Sequence, residues 1–383
     1  MKTPSYLLAA LLVTGFAWGA DVKKPAFQYK SEGIEVPAAT ADEPKVKAYG
    51  ADTVKAAAKY LDDGAHFWVR ERSCLACHST GVYMVERSVL TKQLGKPSEE
   101  VFKDFVTSVP KDLGKPGESP HASIWRSSGL ASWDKHVEGK LSEHTDRSLR
   151  HMLSILPNDN MYNTIKLIEI PYITTRFELT VQAMRAMATA PGWLASLKDA
   201  DLVARVERIK KFLREHQPIN DYELALKLQL ANLNPEFVSK EERDAAIAML
   251  WRKQLPDGGW STRRMSDLLK WRLEVHPPSE RQPWKEAMDP TVIKLIQNLP
   301  DAANPGSDPY MTAFAIVLLR ESGVPASDKR IQRGIGWLKE NQRVTGRWWM
   351  YSLYRGNLNY ITYISTAQAL RALALCDELP SSR

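Results

Sequence analysis

The chain has 383 residues, 44% apolar and 25% charged, with a formal net charge of +7 and three cysteines. This is ordinary globular composition, long enough for one large domain or two smaller ones. The basic excess is mild and no dense Lys/Arg block is interleaved with aromatics, which argues against a nucleic-acid-binding surface.

Residues 1–20 read as a signal peptide. Lys2 supplies a positive start, Tyr6 to Phe16 an apolar stretch, and Ala17-Trp18-Gly19 a small-x-small site, so cleavage is expected after Gly19 or Ala20. The alternative is an uncleaved anchor, for which the apolar run is short. No later stretch approaches 18 unbroken apolar residues, so no membrane span is expected in the mature chain. The implied location is periplasmic or secreted. Residues 21–50, polar and rich in Lys, Pro and Glu, are expected to form an extended N-terminal arm.

Next comes Arg72-Ser73-Cys74-Leu75-Ala76-Cys77-His78, which contains Cys-x-x-Cys-His. This is the attachment pattern of c-type haem. Two thiols add to the two vinyl groups on one porphyrin edge, and the following imidazole reaches the iron. The expectation is one covalent haem c on Cys74 and Cys77, with His78 as the metal ligand. Three alternatives stay open. A thioredoxin-like pair would want a βαβ setting, whereas Val54 to Leu61 looks helical. A zinc site would need further nearby ligands. A Cys74–Cys77 disulfide would close a very small loop. Candidates for the sixth iron ligand are His66, His121, His136, His144, His151, His216 and His276, and Met84, Met152, Met161, Met184, Met187 and Met311. Met161 and His121 sit in loop-like stretches, whereas most of the other methionines sit in apolar helical patterns that suit core filling.

Residues from about 95 to 165 break the helical pattern, with Lys111 to Pro120 rich in Gly, Pro and Lys, and read as an irregular insertion. Beyond it the chain repeats. Leu250 to Trp260 and Leu338 to Trp348 both read Leu-x3-Gln-x3-Gly-x-Trp, each after an amphipathic run, Arg243 to Lys253 and Lys329 to Asn341. Thr180 to Met187 matches Thr366 to Leu373, and Thr312 to Leu319 is a weaker copy. These three segments are apolar around most of their circumference, as buried helices are. Arg205 to Gln217 followed by Asp221 to Leu233 reads as a degenerate helix pair. Stacked pairs of this kind form solenoids or close into rings. Cys376 reads as a buried inert thiol, Trp260 and the Trp348-Trp349 pair as core, and Asp257 and Asp308 as turn and cap residues.

The Gln254…Gly258-x-Trp260 and Gln342…Gly346-x-Trp348 turns resemble the QW repeat of squalene-hopene cyclases and their relatives. The resemblance implies an all-α fold, an α/α toroid of repeated helix pairs, forming a single domain over residues 51–376 with a short tail at 377–383. The Asp-x-Asp-Asp acid motif of class II cyclases is absent, since Asp62-Asp63 lacks the preceding Asp, so terpene cyclisation is not expected. Cys74 begins where a Gln-Gly-Trp turn would come, which places the haem loop at one repeat turn on the rim. The expected function is periplasmic electron transfer by a monohaem c-type cytochrome with a redox partner protein. The alternatives are a haem-dependent oxidoreductase, or a haem-bearing sensor or binding protein, for an apolar, isoprenoid-like small molecule.

Overall fold

In the computed structural model, residues 26–72, 78–112, 118–158, 161–162, 175–265, 298, 302–351 and 360–380 are described. The leader, Cys74, Cys77 and His276 lie outside the described residues.

Six helices bury one stripe each and form an outer layer: α1 (Ala51–Phe67), α4 (Glu99–Thr107), α6 (Glu143–Ser154), α9 (Ala200–Glu215), α11 (Lys240–Lys253) and α13 (Lys329–Asn341). In α13 the buried residues are Ile331, Gly334, Ile335 and Leu338, the spacing of one helical face. Six others are buried over most of their surface: α2 (Thr80–Val89), α5 (Pro120–Trp133), α7 (Arg176–Thr189), α10 (Asp221–Leu233), α12 (Pro309–Glu321) and α14 (Tyr360–Leu375). Two single-turn helices, α3 (Thr91–Leu94) and α8 (Trp193–Ser196), lie between them.

The inner helices pack in the order α2, α5, α7, α10, α12, α14, and α14 packs again on α2. That is a closed ring, so the α/α toroid is a property of the contacts themselves. Side-chain caps define many helix starts: Ser98, Ser142, Thr175, Asp199, Asn220, Ser239 and Asp308 each accept a backbone N–H from the first turn.

The two Gln-Gly-Trp turns explain how neighbouring units are fastened. Gln254 Nε2 donates to Gly258 O and to Arg330 O of α13, both at 2.8 Å. Gln342 Nε2 donates to Gly346 O at 2.8 Å and to Thr53 O of α1 at 2.9 Å. Each tryptophan indole donates 2.7 Å back to its own outer helix, Trp260 to Leu250 O and Trp348 to Leu338 O. Their backbone N–H groups donate to Thr312 Oγ1 at 2.9 Å and Thr366 Oγ1 at 3.0 Å on the inner helices. Gly258 (φ +94°) and Gly346 (φ +89°) hold conformations that favour glycine, and the next outer helix lies against each. The second turn docks on α1, near the other end of the described chain, and so closes the ring.

Two sequence expectations change. Among the described residues, the stretch read as an irregular insertion carries α4, α5 and α6. Helix α5 is buried on every face and rich in Ser and Ala, so it shows no amphipathic period to read. Nor is the N-terminal arm wholly extended, because it contains the antiparallel hairpin β1 (Phe27–Ser31) and β2 (Ile34–Pro37). The hairpin packs on α1, and Arg347 Nε holds Glu43 at 2.7 Å within the docked turn. Among the described residues no helix is long and apolar enough to cross a membrane.

Candidate functional site

The ring axis carries the concave site. Around the C-terminal halves of the inner helices lies a chamber of about 420 Å³. Its wall includes Val85 and Val89 of α2, Ser128 and Ser132 of α5, Gln182, Arg185 and Thr189 of α7, Gln229 and Asn232 of α10, Glu321 of α12 and Arg371 of α14. Lys135 and His136, in the turn that follows α5, complete the mouth. Val85, Val89, Ala186, Leu233 and Leu375 line the chamber beside these polar residues.

These polar groups are bonded to each other within and between neighbouring inner helices. Gln182 Nε2 donates to Ser128 Oγ at 2.9 Å, and Arg185 Nη1 to Gln182 Oε1 at 3.0 Å. Arg371 is clamped by two carboxylates, Glu86 at 3.0 Å and Glu321 at 2.6 Å. Gln368 Nε2 donates to the same Glu86 at 3.0 Å. Burial, and then the charges of Lys135, Arg371 and Lys92, push the His136 imidazole down to about 4.

Below the mouth the axis narrows to an aromatic floor that shares Gln182, Arg185 and Gln229 with it. Trp125, Tyr222, Tyr310 and Phe314 line the floor together with Glu178. Tyr222 Oη donates to Glu178 Oε1 at 2.7 Å and lies 3.3 Å from Tyr310 Oη. Burial, and then the Glu178 charge, hold the Tyr222 phenol protonated well above its ordinary range. Sequence reasoning missed Glu178. Thr175-x-x-Glu178 has the spacing of a capping box, which would fold the carboxylate back onto the helix start. Thr175 does cap α7, but the Glu178 side chain is bonded to Tyr222.

At the opposite end of the inner helices, His78 stands two residues before the start of α2 and His121 sits in the first turn of α5. The His78 ring lies 4.1 Å from the Tyr360 ring, centroid to centroid. Burial and then the charge of His121 push His78 down to about 3, and burial pushes His121 down to about 4. Ser119 Oγ stands 3.4 Å from His121 Nδ1.

The other residues considered as iron ligands go elsewhere. Met84, Met152, Met184, Met187 and Met311 are core residues, and Met161 is buried with them. His66 bonds Ser98, His151 bonds Glu118, and His216 bonds Glu223 while stacking on Phe177. His144 is exposed, and His136 faces the axial mouth. Cys376 is a free, buried thiol that burial pushes up to about 11. Asp308 caps α12 and also accepts from Thr262 Oγ1 at 3.0 Å, and Asp257 accepts from Ser307 and Trp337 in its turn.

No family model matches the chain, and no curated protein does. Among solved structures the chain is similar to the type II terpene cyclase MstE from Scytonema, at 14% identity over 86% of this chain and 98% of that one, with a TM-score of 0.44. A glycosidase matches at 12% identity over 90% of this chain and 92% of that one, with a TM-score of 0.43. A glycosidase in complex with glucose matches at 12% identity over 86% and 87%, with a TM-score of 0.41. Similarity at this level assigns no activity.

The reading as an electron-transfer cytochrome is corrected, and so are the two haem-based alternatives. Among the described residues no three His, Cys, Asp or Glu side chains converge as a metal-holding group.

Proposed function

We propose that the protein binds a small polar molecule in the axial chamber of its toroid. One observation carries this reading: six separate helices converge on a chamber of about 420 Å³ whose polar side chains are positioned by mutual hydrogen bonds. That volume and mixed lining suit a ligand of modest size, oriented by a few convergent polar groups. The aromatic floor closes one end and the mouth opens at the other, so entry is along the ring axis.

The test is a thermal-shift screen of polar metabolite-sized compounds, repeated on Thr189→Trp. The indole would fill the mouth from a partly exposed position. Compounds that stabilise the native protein should lose their effect on this variant while its own melting temperature holds. Stabilisation that survives in Thr189→Trp would place binding outside the chamber.

A second part of the proposal concerns the rim and rests on the Cys-x-x-Cys-His sequence together with the leader. Cys74 and Cys77 carry one covalent haem c, with His78 as a ligand, on a chain exported from the cytoplasm. A buried imidazole, His121, in the first turn of the neighbouring helix α5 is compatible with such a group. When bound, it would supply an iron held by imidazole; no activity is assigned to it. Haem staining of a denaturing gel, after expression with a c-type maturation system, tests this. A stained band lost in Cys74→Ala/Cys77→Ala supports the attachment, and an unstained native protein refutes it.

A further inference from the structure

We infer that His121 supplies the second axial ligand of the rim haem, so that the iron is held by two imidazoles, His78 and His121. This rests on the covalent attachment proposed above and goes beyond it by assigning the iron's sixth position to a residue of this chain.

The packing of α2 on α5 sets the register. Both helices present their C-terminal halves to the axial mouth, so they run the same way. Ser132 Oγ of α5 donates to Val85 O of α2 at 2.8 Å, and a Cβ on Gly129 would stand 2.7 Å from Met84 Cβ. From that contact α2 runs back from Met84 to its start at Thr80, about 6 Å, whereas α5 runs back from Gly129 to His121, about 12 Å. The helix therefore carries His121 past the start of α2, to the level of the chain that enters it, where His78 stands. The His78 ring lies 4.1 Å from that of Tyr360, the first residue of α14, so three inner helices begin around this point.

Burial and hydrogen bonding prepare the His121 ring. It is 5% exposed and belongs to a helix buried on every face, so the core fixes its position. Ser119 Oγ stands 3.4 Å from its Nδ1. An Nδ1–H donated there leaves the lone pair on Nε2, the tautomer that a metal takes. A second observation points to a bound group at the same end. Ser79 Oγ, at the start of α2, and Ser123 Oγ, two residues beyond His121, are buried without a hydrogen-bond partner in the protein. Buried hydroxyls are costly in that state, and the propionates of a porphyrin are acceptors of the kind they lack. Other described histidines are engaged elsewhere: His66, His151 and His216 bond Ser98, Glu118 and Glu223, and His136 lines the chamber at the far end of the inner helices.

The experiment uses the full chain matured with its haem and reads coordination rather than activity. It records visible spectra of both oxidation states, electron paramagnetic resonance of the oxidised form, and carbon monoxide binding to the reduced form. The native protein should be low-spin with two nitrogen ligands and should not take up carbon monoxide. His121→Ala should turn the oxidised iron high-spin and admit carbon monoxide, and added imidazole should restore the low-spin spectrum. His144→Ala, at an exposed position, should leave every spectrum as it was. A native protein that stains for haem but is high-spin or sulfur-ligated overturns the inference before any variant is made and leaves the attachment standing. A low-spin spectrum that persists unchanged in His121→Ala overturns it as well. A native protein without covalent haem overturns the attachment, and this inference with it.

Discussion

Replacing Gly346 by alanine should loosen the closure of the ring, and the structure gives the size of the effect. Its backbone φ of +89° is strained for any residue with a Cβ. An added Cβ would also stand 2.8 Å from Ala56 Cβ, and closer still to the Ala56–Ala57 backbone of α1. The first contribution costs about 1–2 kcal/mol. Displacing a packed helix backbone adds about 1–3 kcal/mol. Gly323 supplies the control: its φ is +93°, yet nothing lies within 4 Å of an added Cβ, so Gly323→Ala carries only the backbone cost. Unfolding entropy for a chain of this length is roughly 0.8 kcal/mol per degree, so Gly346→Ala should lower the melting temperature by about 3–6 °C and Gly323→Ala by about 1–3 °C. Circular dichroism melts of both variants measure the difference. Gly258→Ala, facing Arg333, should behave like Gly346→Ala. Equal losses in all three would refute the claim that these turns dock tightly on the following helix.

Other consequences follow from buried charges and aromatics. Burial raises the Asp308 carboxyl to about 6, above its unfolded value, so its contribution to stability is complete below about pH 4 and lost as pH rises through 6. Against Asp308→Asn, which caps α12 equally well, the native protein should lose roughly 2–3 kcal/mol between pH 4 and pH 7, measurable in paired thermal melts. Burial alone would raise Glu118, but its hydrogen bonds from His151 and Arg126 outweigh that and bring it down to about 2. Its contribution is thus present above its unfolded pKa of about 4.5 and lost as pH falls toward 2, so Glu118→Gln should destabilise by about 2–3 kcal/mol at pH 7 in urea titrations and by little near pH 2. Trp348→Ala removes a fully buried indole and its bond to Leu338, for a loss of about 3–5 kcal/mol in the same assay.

The ring was legible in the sequence where its parts repeat side chains with a fixed job. Gln254 and Gln342 must reach the same two carbonyl positions, and Trp260 and Trp348 must return to the same helical carbonyl, so spacing and identity recur together. Outer helices such as α13 show a face, and Asp221–Leu233 coincides with α10. Helix α5 was hidden because a helix buried all round has no polar side to set a period. The axial site was hidden for a different reason. Arg185, Lys135 and Arg371 belong to separate helical units and meet only when the ring is closed, so no linear spacing announces them. Glu178 was masked by a local pattern that suggests a cap. The electron-transfer reading failed because a five-residue motif was allowed to speak for the whole chain.

The hydrogen bond from Gln342 to Thr53 spans 289 residues of sequence. A chain that emerges from its N-terminal side makes α1 long before the turn that fastens it exists. Until that turn arrives, the flank of α1 that will receive Gly346 has no cover, and the inner helices cannot be sealed on their last side. Local pairs of helices can fold as they appear, but the final seam must wait for the whole sequence. Assembly should then be limited by this one late event, slow in proportion to the loop it closes.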